Sequence, residues 1–188
     1  MNAIGQAHLA DEAWSPCSLH AVVLTFLRAE WEKWPTLKVR DRRLIAEQAD
    51  LTDVRQNNER MRALLSVRGP LLGGVPNDTQ WFEVRHLRAD HFGQLHAINF
   101  RNWNSPADMN ELEKVALRKP LQILTPVASW QPPILWGHDQ GGPFSILEGN
   151  HRLAALACAA AEHQHWRTLA LVGLSPRPCG WHRPDGLW

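Results

Sequence analysis

Apolar residues along SLHAVVLTFLRAEWEKW, residues 18–34, recur three and four apart. Leu19, Val22, Val23, Phe26 and Leu27 fall on one helical face, with Ser18 as the N-cap and Pro35 as the stop. A second helical stretch over 40–67, rich in charge and helix formers, is expected to break near Asp50–Thr52 and to close at the Gly/Pro cluster RGPLLGGVP, 68–76, where a domain boundary is placed. Beyond it the period changes to two. WFEVRHL, 81–87, alternates large apolar with charged side chains, as a half-buried strand does. SPADMNELEKVALRKP returns to the helical period: Ser105 caps, Pro106 takes the first position, Asp108 follows, and Met109, Leu112, Val115 and Ala116 form the buried stripe of a helix over 105–118. Two short apolar runs around HDQGG then predict a hairpin over 133–148, followed by a helix over 151–162, a buried strand in TLALVGLS and an irregular tail.

These elements predict an α/β (α+β) fold, with a helical extension over 1–76 and a mixed sheet with helices over 77–188. A length of 188 residues suits one main core. No apolar run approaches the roughly 20 residues that span a bilayer, and the N-terminus lacks a basic region followed by a cleavage site, so no membrane is expected and the cytoplasm is the expected compartment. Cys17, Cys158 and Cys179 are odd in number and widely spaced, which predicts reduced thiols. A net charge of +1 gives no general attraction to nucleic acid. His86, His91 and His96 recur every five residues, which is not the spacing of a helical zinc pair.

The densest polar chemistry lies where strand turns to helix, in ILEGNHRLAAL, 146–156. Gly149 permits a close turn, residues 150–152 present free amides at a helix start, and His151 and Arg152 add donors where an isolated helix would place acids. Two readings stay open. The group holds an anion, or Arg152 pairs with Glu148 and His151 is a surface residue. Glu148 itself either turns inward to a base or faces the ligand.

ILEGNHRLAAL, after a hairpin and leading into a helix, resembles the signature of the ParB/sulfiredoxin-like superfamily, in which a Gly-x-(His/Arg)-Arg turn contacts nucleotide phosphates. The resemblance covers about residues 78–175. Gly149 and Arg152 match the partitioning-protein box. Gly149, His151 and Arg152 match the sulfiredoxin box, but Asn150 stands where its catalytic cysteine would be, so sulfinic-acid reduction is not implied. The turn is most similar to the Glu-Gly-His-His-Arg form of the free-serine-kinase branch, differing at Asn150. That branch carries an acid before the first domain helix, whereas INFRNWN, 98–104, has none. No helix-turn-helix follows the box, so no sequence-specific DNA binding is expected.

The resemblance implies a ParB/sulfiredoxin-like domain that binds ATP, ADP or CTP, or a small phosphorylated ligand, with Mg2+. The implied activity is that of a magnesium-dependent phosphotransferase or nucleotide hydrolase. Gly149, Asn150, His151 and Arg152 would hold phosphate, with Asn99 and Arg101 completing the site from the facing loop, unless that loop is simply solvated. Glu148 would bind magnesium or accept a proton, and His151 would donate to the phosphate. His182 would supply a proton acceptor, unless CGWHRP is only a docked tail. Two other functions stand beside this one. A nuclease or nucleic-acid-modifying protein would use a basic groove from Arg40, Arg42, Arg43, Arg55, Arg60 and Arg62. A noncatalytic regulator would let nucleotide occupancy change how the helical N-terminal region meets a protein partner.

Overall fold

The Ser18 hydroxyl accepts the Ala21 N–H at 3.1 Å and starts α1, Leu19–Glu30. The helix ends before Pro35, which instead opens a short helix α2, Pro35–Lys38, where a missing N–H costs nothing. Of the helix expected over 40–67 with a break at 50–52, the part before the break is corrected: residues 40–53 hold only a short 3-10 helix, Arg42–Ile45. Asp53 then caps α3, Val54–Leu72, by accepting the Gln56 N–H at 3.0 Å. The expected loop from residue 68 is corrected: α3 continues through Gly69 and Pro70 to Leu72, and only Arg68 leaves helical geometry, at φ −128° and ψ 17°. Pro70 falls in the first turn after that kink, where its lack of an N–H is tolerated.

The computed structural model describes residues 8–97, 131–153, 156, 167–177 and 179. They contain a six-stranded mixed sheet, so the chain is α+β. Its strands are β1 (Trp14–Pro16), β2 (Gln80–Leu87), β3 (Leu95–Ala97), β4 (Ile134–Gly137), β5 (Phe144–Glu148) and β6 (Thr168–Leu174), in the spatial order β1-β2-β6-β4-β5-β3. β1–β2, β2–β6 and β4–β5 are antiparallel, and β4–β6 and β3–β5 are parallel. The strand expected at 81–87, the hairpin at 133–148 and the strand in TLALVGLS are all present. The helix expected over 105–118 lies outside the described residues. β1 was not foreseen: three residues are too few to show a period, and two of them are exposed.

Both faces of the sheet are covered. On one, α1 and α3 pack Val23, Phe26, Leu27 and Leu64 against Trp81, Ile134, Trp136, Leu147 and Leu171. On the other, Leu9, Phe92, Leu153 and Leu156 cover Val84, Leu135, Phe144, Ile146 and Val172. Segments from before residue 77 and after it therefore share one core. Burial on both faces explains why β4 and β5 read as continuous apolar runs rather than as alternation. No helix among the described residues is long and apolar enough to cross a membrane.

Candidate functional site

Ile134 of β4 pairs with Glu148, while its neighbour Leu135 pairs with Ile146. One step on β4 thus matches two on β5, so Leu147 is the extra residue of a β-bulge. Without the bulge, Glu148 would share the sheet face of Ile146. With it, Glu148 meets the helical layer: the Lys33 ammonium, just past α1, donates to Glu148 Oε1 at 3.1 Å, and Arg152 Nη2 donates to Glu148 Oε2. Only 7% of Glu148 is exposed. A carboxylate so buried must be matched by cations or lose its charge, and here two cations match it.

Lys33 also donates to Glu30 Oε1 at 2.8 Å. Glu30 is the last residue of α1 and is fully buried. Its Oε2 accepts from Trp34 Nε1 at 2.6 Å and from Arg68 Nε at 3.0 Å, with Arg68 Nη2 at 2.8 Å. The Arg68 guanidinium lies 5.6 Å from the Trp34 ring centre. Burial alone would raise the Glu30 pKa, but the hydrogen bonds from Arg68, Lys33 and Trp34 outweigh it and hold the carboxyl below its ordinary value. Lys33, Arg68 and Arg152 together face Glu30 and Glu148, three cations against two carboxylates.

Gly149 follows at φ 104°, in the left-handed region that side-chain-bearing residues avoid. A Cβ there would lie 2.9 Å from Pro133 Cβ and 3.2 Å from Arg152 Nη2. We expect Gly149→Ala to cost about 2 kcal/mol or more, read as a lower denaturant midpoint, because backbone strain and the clash with the proline act together. The helix begins at Asn150, and the Leu153 N–H reaches the Gly149 carbonyl at 2.9 Å. His151 is exposed on the first turn, while Asn150 Oδ1 and Arg152 Nε are buried without hydrogen-bond partners. Buried polar atoms of that kind are uncommon in folded proteins.

The turn therefore gathers Glu148, Gly149, Asn150, His151 and Arg152. Asn99, Arg101 and His182 lie outside the described residues. Lys33, Glu30, Arg68 and Trp34 were not singled out by the sequence, although one signal was there. Glu30 continues the apolar stripe three and four residues after Leu27 and Phe26, and an acid on a buried face demands a partner.

A divalent cation does not fit at Glu148, since both of its oxygens already face cations. Among the described residues no group of three or more His, Cys, Asp or Glu side chains is arranged to hold a metal. In the 3-10 helix Ala89–Gln94 that follows β2, the buried His91 accepts the Arg88 N–H at Nδ1, and Arg88 Nη2 pairs with Glu12 at 2.9 Å, so this histidine fixes the local turn. Four of the six arginines of the expected basic groove are also engaged, while Arg40 and Arg62 are exposed. Arg60 is fully buried and donates to Leu44, Asp50, Gln56 and Asn57, while Arg42, Arg43 and Arg55 pair with Glu32, Asp41 and Glu59. Comparison with protein-family models, with curated proteins and with solved structures finds no match to this chain.

Proposed function

We propose that the chain binds a nucleotide or another phosphorylated ligand at the turn 148–152, with Arg152 and Lys33 holding the phosphate. The observation that carries this reading is the excess of cations around the two buried carboxylates, with Arg152 Nε buried and unpartnered beside the helix start. Glu148 would act as the resident counter-ion. It orients the guanidinium and the ammonium before ligand arrives, so less ordering remains to be done on binding. His151, on the exposed side of the same turn, would donate to a second phosphate oxygen. Asn99 and Arg101 remain part of this proposal from the facing loop, and ATP, ADP and CTP remain the ligands to test.

Phosphoryl transfer or hydrolysis at this site would need a proton acceptor other than Glu148, which is held by two cations, and His151 and His182 are the available side chains. A noncatalytic, ligand-responsive regulator is a second reading, favoured by one contact. Lys33 bridges Glu148 to Glu30, so a phosphate that draws Lys33 away alters how the helical layer meets the turn. The engaged arginines argue against the nuclease alternative. We expect no sequence-specific binding to duplex DNA in a mobility-shift assay, and only weak binding that fades as salt is raised.

Thermal unfolding in the presence of ATP, ADP, CTP, pyrophosphate and phosphate tests the reading. A ligand at a hundred times its Kd stabilises by about 2.7 kcal/mol, which raises the melting temperature by several degrees. The shift is expected to persist when EDTA removes magnesium. The absence of a shift with every one of these compounds would remove the proposal.

A further inference from the structure

Residues 8–16 lie along the sheet as a strap, with Leu9 buried in the core that holds Phe92 and with β1 paired to β2 over three residues. Few polar contacts hold it. The Leu9 N–H donates to Gln94 Oε1 at 3.0 Å, His8 Nδ1 lies 2.7 Å from Gln94 Nε2, and Trp14 stands edge-on to Phe82 with ring centres 5.6 Å apart. The charged contact is Glu12. Its Oε1 takes Arg88 Nη2 at 2.9 Å and lies 3.7 Å from His91 Nε2, while its Oε2 lies 3.4 Å from His86 Nδ1.

The His91 ring is fully buried, and its Nδ1 accepts the Arg88 N–H at 3.1 Å. In the neutral ring the proton therefore sits on Nε2, which is buried without a hydrogen-bond partner. A second proton has to enter at Nδ1. There it ends the bond to the Arg88 amide and sets two N–H groups against each other, and the ring becomes a second cation beside a carboxylate that Arg88 already holds. Burial opposes that charge most, and the Arg88 guanidinium adds to it; the attraction of Asp90, Glu12 and Asp11 is smaller in sum, so the ring's pKa lies below its ordinary 6.5. Asp11 and Asp90 are exposed, where water screens them.

We propose that His91 is an acid-sensitive latch, whose protonation breaks its bond to the Arg88 amide and releases residues 8–16 from a sheet that otherwise stays folded. Opening the strap takes Glu12 and its cover away from the ring, so the open form binds the proton more tightly and acid shifts the population toward it. With the closed-state pKa depressed, the strap is held fully above pH 6.5 and loosens as the pH falls through the depressed value. Release leaves the Phe82–Val84 edge of β2 unpaired. No group of the turn 148–152 takes part, so the inference stands whether or not phosphate binds there.

The test is nuclear magnetic resonance of the full chain between about pH 8 and about pH 5, above the range in which Glu30 titrates. The Overhauser contacts of Trp14 with Phe82 and Phe144 report the strap, with Trp14 assigned through Trp14→Phe, and the ring carbon shifts of His91 report its charge. The expected result is reversible loss of the Trp14 contacts at the midpoint of the His91 titration, while the amide signals of α1 and β4 stay in place. His91→Asn keeps an acceptor for the Arg88 amide without titrating, and should hold the contacts throughout; His86→Asn should leave the transition unchanged. Should His91→Asn not fold, the match of the two wild-type midpoints decides. Contacts kept by the wild type across the whole range would overturn the proposal. So would a transition that persists in His91→Asn, which would assign it to His8 or His86, or one in which the α1 and β4 signals are lost together with the strap.

Discussion

Glu30→Gln is expected to lower the unfolding free energy by about 2–4 kcal/mol, the largest loss foreseen for a single substitution in this chain. Breaking a fully buried ion pair costs about 3–5 kcal/mol, because the partner charge is left in a medium that solvates it poorly. The expected value is lower here because half of Lys33 is exposed and it keeps Glu148, while the amide still accepts from Trp34. Arg68, at 21% exposure, is the cation that loses its carboxylate. The same network sets a pH dependence. The folded-state pKa of Glu30 lies below its ordinary value of 4.5, so its contribution is fully present above that pH and is lost as the pH falls through the depressed native value. Urea unfolding of wild type and variant at neutral pH and in the acid range checks both statements. The two curves should converge as the pH drops, and a constant gap would show that Glu30 acts through shape rather than charge.

Glu148→Gln is expected to separate stability from binding. The amide keeps the shape but surrenders the charge that holds Lys33 and Arg152, and a loss of about 1–3 kcal/mol follows, discounted for the exposure of both cations. Phosphate affinity should be kept or improved. The substitution removes a negative charge beside the bound anion and frees Arg152 and Lys33 for it. Unfolding and calorimetric titration with ADP on the same purified variant give both numbers. Unchanged stability together with lost binding or lost turnover would instead make Glu148 a metal ligand or a base, as the resemblance implied.

Much of the scaffold was legible because its signals are local. Ser18 and Asp53 cap helices with their own side chains, and WFEVRHL reads as a strand from its mix of apolar and charged residues, although its buried positions fall at 81, 84 and 87 with a register shift between Val84 and Leu87. The hairpin announced itself through glycines between two apolar runs. What escaped was decided by distant contacts. Pro70 reads as a breaker in any local window, yet a kink at Arg68 absorbs it, and the same residue reaches Glu30 across 38 positions of chain. At the site, the turn 148–152 was found through its unusual density of polar groups. The side to which Glu148 points was not, because a one-residue bulge at Leu147 decides it and no local pattern marks that bulge. Lys33 was missed for a related reason, being one of several charges on a helical segment until the sheet brings Glu148 beside it.

If Arg152 holds phosphate while Glu148 holds Arg152, titration calorimetry of ADP and pyrophosphate will separate wild type, Arg152→Ala and Arg152→Lys. Arg152→Ala should bind at least about tenfold more weakly, a loss of about 1.4 kcal/mol, with the circular dichroism of the folded chain retained. Arg152→Lys should recover only part of that loss, since a point charge does not replace the planar fork. Equal affinities for a well-folded Arg152→Ala and the wild type would show that Arg152 does not hold the phosphate.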